Sequence, residues 1–122
     1  MKKILIAEDS SVIQNLTTKI LKFQNYEVFN AKNGQIVLDM LEKGSYDAIL
    51  MDINMPVMDG MECTKNIRAL ADTEKAGIPI IVITGNAQNY SKKDFEDAGI
   101  NAYLQKPLDF DLLVETVKKW TN

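Results

Sequence analysis

Five polar side chains stand where short strand-like stretches of the sequence end: Glu8, Asp9, Asp52, Thr84 and Lys106. Three carboxylates gathered in one place would repel each other and raise each other's pKa, and one lysine cannot balance them. A hard divalent cation can, and Mg²⁺ suits carboxylate ligands together with several retained waters. A metal beside an acid, a hydroxyl and a lysine is typical of phosphoryl transfer, in which a carboxylate acts as the nucleophile and becomes an aspartyl phosphate.

The expected metal ligands are Asp9 and Asp52 directly, the backbone carbonyl of Asn54, and Glu8 through a water molecule. Mg²⁺ is the predicted cofactor, with Mn²⁺ as the second candidate ion. The cation and the lysine would neutralise the equatorial oxygens of the phosphoryl group, and Thr84 would donate a hydrogen bond to one of them. Each acid by itself is more simply explained as a turn residue. Their arrival together at one edge of a sheet is what favours a site.

The elements that must position these residues follow a regular alternation of strand-like and helix-like stretches. The predicted strands cover residues 3–8, 26–31, 48–52, 79–84 and 101–105. The predicted helices cover about 11–24, 34–44, 59–70, 89–98 and 109–120, and residues 72–77 are expected to be a polar connection. This alternation predicts a parallel sheet with helices on both faces.

Three of the predicted strands are apolar almost throughout and two are mixed. The first, third and fourth strands are therefore expected in the centre of the sheet, and the second and fifth at its edges. Right-handed crossovers then give the order 2-1-3-4-5, which is the flavodoxin-like doubly wound α/β fold. In that order the first and third strands flank one crevice, and all the strand ends meet at the same edge.

The first predicted helix carries apolar residues at helical spacing. Val12, Leu16, Ile20 and Phe23 fall on one stripe, with Ile13 and Leu21 beside it. This spacing predicts a face that packs into the core.

Composition narrows the class of protein. The 122 residues fit one domain, taken as residues 1–122, with no output domain expected after it. A net charge of −3 and a pI near 4.9 argue against a basic surface for nucleic acid. The lone Cys63 cannot form an internal disulfide, which favours a reducing, cytoplasmic setting, and no apolar run reaches membrane-spanning length. The absence of histidine excludes Ser-His-Asp and Cys-His catalysis and removes the commonest zinc ligand.

The residues that carry the chemistry belong to longer motifs distributed along the whole chain. These are Glu8-Asp9, Met51-Asp52-Ile53-Asn54-Met55-Pro56-Val57-Met58-Asp59-Gly60, Thr84, Tyr103 and Lys106-Pro107. In this order and spacing the sequence resembles the CheY-like receiver domain of bacterial two-component response regulators. The resemblance implies that Asp52 is the phosphoacceptor, that Glu8 and Asp9 are the acid pair for Mg²⁺, and that Lys106 contacts the phosphate. It also implies that Thr84 and Tyr103 form a switch pair and that the Lys106-Pro107 peptide bond is cis.

The same resemblance implies partners and a switch. The phosphate donor would be a phosphohistidine on a sensor histidine kinase or a histidine phosphotransfer protein, and the output would be a downstream effector. Phosphorylation would turn Thr84 inward and move Tyr103 from an exposed to a buried rotamer. This would change the surface formed by the fourth helix, fifth strand and fifth helix. Asn54 and Asn86 border the site in this family, where their amides either position or block the hydrolytic water. Val12 would be either an exposed docking residue for the kinase or an ordinary core residue.

Two other classes of protein are the alternatives. An aspartate-nucleophile phosphohydrolase usually places a second acid two residues after the nucleophile, and Asn54 at that position argues against it. A flavin- or nucleotide-binding module would need Gly- or Ser/Thr-rich phosphate loops, and the acids Glu8 and Asp9 would repel a phosphate in the absence of a metal. The favoured hypothesis is a phosphorylated switch and not a turnover enzyme.

Overall fold

The structure, a computed structural model, describes residues 1–55, 57–85 and 90–122. The strands are β1 (Lys3–Ala7), β2 (Glu27–Ala31), β3 (Ala48–Asp52), β4 (Ile80–Thr84) and β5 (Ala102–Gln105). The helices are α1 (Ser11–Phe23), α2 (Gly34–Lys43), α3 (Gly60–Arg68), α4 (Thr73–Ala76), α5 (Lys92–Ala98) and α6 (Phe110–Thr121). The five strands form one parallel sheet in the order β2-β1-β3-β4-β5, which confirms the predicted topology.

The two faces of the sheet each pack against helices. One face packs against α2, α3 and α5 through buried side chains that include Val37, Ile67 and Phe95. The other face packs against α1 and α6 through Leu21 and Leu113. Every residue of β3 and β4 is buried, whereas the edge strands β2 and β5 mix exposed and partly buried positions with one buried residue each. The uniformly apolar stretches therefore do occupy the centre of the sheet, as their composition predicts.

Side-chain caps fix where most helices begin. Ser10 accepts a hydrogen bond from Ile13 N at the start of α1, and Asp59 accepts one from Glu62 N at the start of α3. Asn33 starts α2 and Asp109 starts α6 in the same way. These caps provide acceptors for backbone N–H groups that would otherwise lack a partner, and they stabilise the start of each helix.

The polar connection predicted at residues 72–77 is wrong in part, because it contains the short helix α4. Asp72 caps this helix by accepting hydrogen bonds from Glu74 N and Lys75 N, and Gly77 ends it. The remaining bounds differ from the prediction mainly at element ends, and Asn89, the predicted start of the fourth helix, lies outside the described residues. None of the described helices has the length and apolar character needed to span a bilayer.

The predicted core face of α1 is the clearest error. Val12, Leu16 and Phe23 are 77%, 45% and 84% exposed, and the buried positions of the helix are Thr17 and Leu21. The apolar arc of this helix is wider than the face that the sheet covers. Burial falls on one side of the arc and leaves an apolar stripe facing outward.

Arg68, the last residue of α3, ties three helix ends to the amino ends of β4 and β5. Its guanidinium donates to the carbonyl oxygens of Ala76, Ile78 and Gly99 and to Asn101 Oδ1 at 2.6 to 2.9 Å. Gly99 closes α5 with a φ of +89°, and a Cβ there would lie 2.8 Å from Arg68 Nε. The corner therefore requires glycine both for backbone conformation and for the close approach of the guanidinium.

Candidate functional site

The carboxyl ends of β1 and β3 bring three acids together. Glu8 follows β1 directly, and its N–H donates to Ala31 O at 3.1 Å, continuing the pairing of β1 with β2. Asp9 is the next residue, and Asp52 is the last residue of β3. One carboxylate oxygen from each of Glu8, Asp9 and Asp52 lies within 4.8 Å of the others. Parallel strands end on the same side of the sheet, which is why residues far apart in sequence meet here.

Asp52 is held from two sides. Lys106 Nζ donates to Asp52 Oδ2 at 3.0 Å, and the backbone N–H of Asn54 donates to Asp52 Oδ1 at 3.1 Å. The Asp52 side chain is 2% exposed, and its contact with Lys106 is the only ion pair among the residues that the structure describes. Lys106 is placed by its own N–H, which donates to Thr84 O at 2.9 Å, and its bond to Pro107 is cis. The carboxylate therefore has a defined orientation toward the lysine.

The acids outweigh the lysine electrostatically. Burial raises the pKa of Glu8 to about 8, with a further contribution from the neighbouring Asp52 carboxylate, and Lys106 opposes the shift. A carboxyl with so high a pKa marks a place where negative charge is poorly solvated and insufficiently compensated. The donor set fits a hard divalent cation, because carboxylate oxygens are the ligands that such ions prefer. Asp9, Asp52 and Glu8 are the residues that could hold it.

The two residues of the predicted switch pair, Thr84 and Tyr103, have different surroundings. Thr84 ends β4 and is buried. Tyr103 lies on β5, is 44% exposed, and stacks its ring on that of Phe95 with centroids 4.9 Å apart. In this structure the Tyr103 ring is therefore in an exposed position at the edge of the sheet. Asn54 is exposed beside Asp52, whereas Asn86 lies outside the described residues.

Val12 lies at the beginning of α1, three residues after Asp9, and is exposed. Ordinary core packing of Val12 is thereby ruled out, which leaves docking as the remaining prediction for this residue. Cys63 is a buried thiol whose Sγ donates to Gly34 O at 3.4 Å, as expected of a structural cysteine.

Two residues that support the site were not assigned that role from the sequence. Gln14 Nε2 donates to Glu8 O and to Ala31 O, both at 3.3 Å, so α1 braces the segment that carries the acids. Gly60 packs so closely against the end of β3 that a Cβ would lie 2.6 Å from Asp52 O. The sequence indicates this close contact only through the presence of glycine at the start of a helix. Glycine at that position is equally typical of a helix start without any such contact.

Comparison with known proteins gives a consistent set of matches. A sequence model of the family described as "Response regulator receiver domain" matches residues 4–118. The crystal structure of the receiver domain of sensor histidine kinase PA1611 from Pseudomonas aeruginosa, with a magnesium ion coordinated in its active site cleft, matches with a TM-score of 0.88 and 34% identity. That match covers 98% of this chain and 97% of the other.

Two curated relatives differ greatly in length. The polar-differentiation response regulator DivK of Brucella anthropi is 31% identical over 119 residues, which are 98% of this chain and 95% of that protein. Hybrid signal transduction histidine kinase I of Dictyostelium discoideum is 36% identical over 121 residues, which are 95% of this chain but only 7% of that protein. The matching region is thus almost a whole protein in one case and a small segment in the other.

Proposed function

The chain belongs to the family of response regulator receiver domains of two-component systems, and from this premise we propose that Asp52 is its phosphoacceptor. The observation that carries the proposal is the environment of the Asp52 carboxylate. It is buried at the carboxyl edge of the sheet, bound by Lys106 and by the Asn54 N–H, and grouped with Glu8 and Asp9. A nucleophile that must attack one phosphorus atom in line needs this kind of fixed orientation.

The proposed donor is a phosphohistidine on a sensor histidine kinase or a histidine phosphotransfer protein. An oxygen of Asp52 attacks phosphorus, the P–N bond breaks, and the electron pair of that bond returns to the imidazole of the partner. Lys106 stabilises the negative charge on the transferred oxygens, and the Thr84 hydroxyl donates a hydrogen bond to one of them. Val12 is the proposed docking residue beside the site, since it is exposed at the beginning of α1.

Mg²⁺ is the proposed cofactor, with Mn²⁺ as the second candidate. Asp9 and Asp52 would bind the ion directly, together with the carbonyl oxygen of Asn54, and Glu8 would act through a water molecule. The bound ion would supply positive charge to the equatorial oxygens of the phosphoryl group. The grouping of three carboxylates and the raised pKa of Glu8 support this assignment.

The proposed output is a switch and not turnover of external substrates. Added charge at Asp52 turns Thr84 inward, and Tyr103 moves from its exposed position to a buried one. The affected surface consists of α5, β5 and α6, which are the predicted fourth helix, fifth strand and fifth helix. This surface would contact an effector protein in the cytoplasm. No direct binding to nucleic acid or to a membrane is proposed. Asn54 supplies no second acid for a phosphohydrolase, and Asn54 and Asn86 would instead set the lifetime of the phosphoryl group.

Intact-mass measurement after incubation with Mg²⁺ and acetyl phosphate tests the proposal. One added phosphoryl group is expected in the parent protein and none in Asp52→Asn. Asp59→Asn is the matched control, because Asp59 is an exposed aspartate and asparagine also caps helices well. It should be phosphorylated like the parent. An adduct that persists in Asp52→Asn, or no adduct in the parent, would contradict the assignment.

The switch has its own measurement. Beryllofluoride with Mg²⁺, a phosphate mimic, should shift the amide NMR signals of Thr84, Tyr103 and Lys106. Unmoved signals in a protein that forms the Asp52 adduct would refute the switch and leave the phosphoacceptor assignment standing. Steady multiple turnover of a generic phosphoester would instead revive the phosphohydrolase alternative.

A further inference from the structure

Three aromatic rings are packed in series where α5 lies against β5. The Tyr90 and Phe95 ring centroids are 5.7 Å apart with an interplanar angle of 37°, and the Phe95 and Tyr103 centroids are 4.9 Å apart at 29°. Phe95 is 3% exposed and belongs to the core on that face of the sheet. Tyr103 is the outer ring of the series, so its present position is defined by a contact with a buried neighbour.

The helix that carries Phe95 is fixed at both of its ends. At the beginning of α5, Ser91 Oγ accepts a hydrogen bond from Asp94 N at 3.1 Å, and Ser91 N donates to Asp94 Oδ2 at 2.8 Å. At its end, Gly99 O accepts two hydrogen bonds from Arg68. These contacts and the burial of Phe95 position its ring, so a change of the Tyr103 rotamer that turns the tyrosine ring away would break the stack.

We propose that the Phe95 ring is a latch that holds Tyr103 outward and so sets how strongly the unphosphorylated protein favours its resting state. The inference rests on the proposed switch, in which Tyr103 must turn inward. A stacked aromatic pair contributes interaction energy beyond the burial of its area, and removing it shifts a two-state ratio by about two- to tenfold. Phe95 would act on the switch through its stacking contact with Tyr103, so it is a positioning residue.

The test measures the inward-to-outward ratio of Tyr103 by NMR, in the metal-free and unphosphorylated protein. In the parent protein, cross-relaxation between the Phe95 and Tyr103 rings is expected. Phe95→Leu keeps an apolar side chain but removes the ring, and it should raise the inward-to-outward ratio about two- to tenfold. Phe29→Leu is the matched control, because it breaks a different aromatic pair, in which Phe29 and Tyr46 meet edge to face at 5.3 Å.

An unchanged ratio in Phe95→Leu overturns the latch, and so does an equal change in Phe29→Leu. Absence of ring-to-ring cross-relaxation in the parent overturns it without any variant, so the test does not depend on the variant folding. Intact mass keeps the two proposals separate. A normal Asp52 adduct with an unchanged Tyr103 ratio refutes the latch alone, and a shifted ratio without any adduct refutes the phosphoacceptor assignment alone.

Discussion

Replacing Gly60 by alanine should disturb the position of Asp52 without touching any side chain of the site. A Cβ at Gly60 would lie 2.6 Å from Asp52 O and 2.8 Å from the Cα of Ile53, whereas ordinary contacts begin at 3.4 Å. Both neighbouring atoms belong to backbone and cannot rotate away. The start of α3 and the end of β3 must therefore separate by about 0.8 Å, the shortfall from ordinary contact.

The size of the effect follows from that separation. Overpacking of this kind costs about 1–3 kcal/mol, and the smaller conformational freedom of alanine in the unfolded chain returns about 0.4–1 kcal/mol. A net loss of about 1–2 kcal/mol lowers the unfolding temperature of a domain this size by roughly 3–8 °C. A displacement near 1 Å at a reacting group can slow a reaction on the order of 100-fold, so we expect at least a tenfold slower phosphorylation.

The assay is the time course of adduct formation with acetyl phosphate and Mg²⁺, followed by intact mass, beside thermal unfolding of the same samples. Gly44→Ala is the matched control, because a Cβ at Gly44 has no neighbour closer than 3.6 Å and its φ of −151° suits alanine. It should leave both the rate and the unfolding temperature close to those of the parent. Phosphorylation of Gly60→Ala at the parental rate would refute the idea that close packing at Gly60 positions Asp52.

Two further predictions concern stability, measured by urea unfolding. Val57 is a β-branched residue with a φ of +71°, so Val57→Asn should raise the free energy of unfolding by about 1 kcal/mol, whereas Val12→Asn on the regular helix α1 should not. In metal-free protein, Glu8 has a folded-state pKa of about 8 against an ordinary 4.5. Between pH 4.5 and 8, Glu8 is therefore protonated in the folded state and ionised in the unfolded state. The free energy of unfolding should fall as the pH rises through this range. Glu8→Gln should flatten that slope, and an equally steep slope in the variant would contradict the assignment.

The sheet and the grouping of acids were predictable because their signals are local. A strand buried on both faces must be apolar at nearly every position, and β3 and β4 are. Once the order of the strands follows from that, the end of each parallel strand is placed, and Glu8, Asp9 and Asp52 meet as a geometric consequence.

Features that depend on distance or on helix rotation were not predictable in this way. The apolar spacing of α1 fits more than one rotation about the helix axis, and the sheet covers the side of Thr17 and Leu21 and not that of Val12 and Phe23. The short helix α4 did have local signals, since Asp72 precedes it and Gly77 follows it. These signals were outweighed by the polarity of the segment.

The contacts of Gly60 and Arg68 could not be predicted from local sequence patterns, because such patterns do not specify how close two backbone segments lie in space. Gly60 lies eight residues after Asp52, yet the sequence gives no distance between the two backbones. The Arg68 guanidinium reaches a carbonyl thirty-one positions away, at Gly99. The position of the Tyr103 ring likewise depends on Phe95, which a pattern of strands and helices does not connect to it.

The corner built around Arg68 also determines how the molecule should respond to acid. The acceptors of Arg68 at Ala76, Ile78 and Gly99 are carbonyl oxygens, which do not titrate, and the guanidinium stays charged at low pH. The contacts of Arg68 that join the ends of α3, α4 and α5 to the amino ends of β4 and β5 are therefore expected to persist in acid.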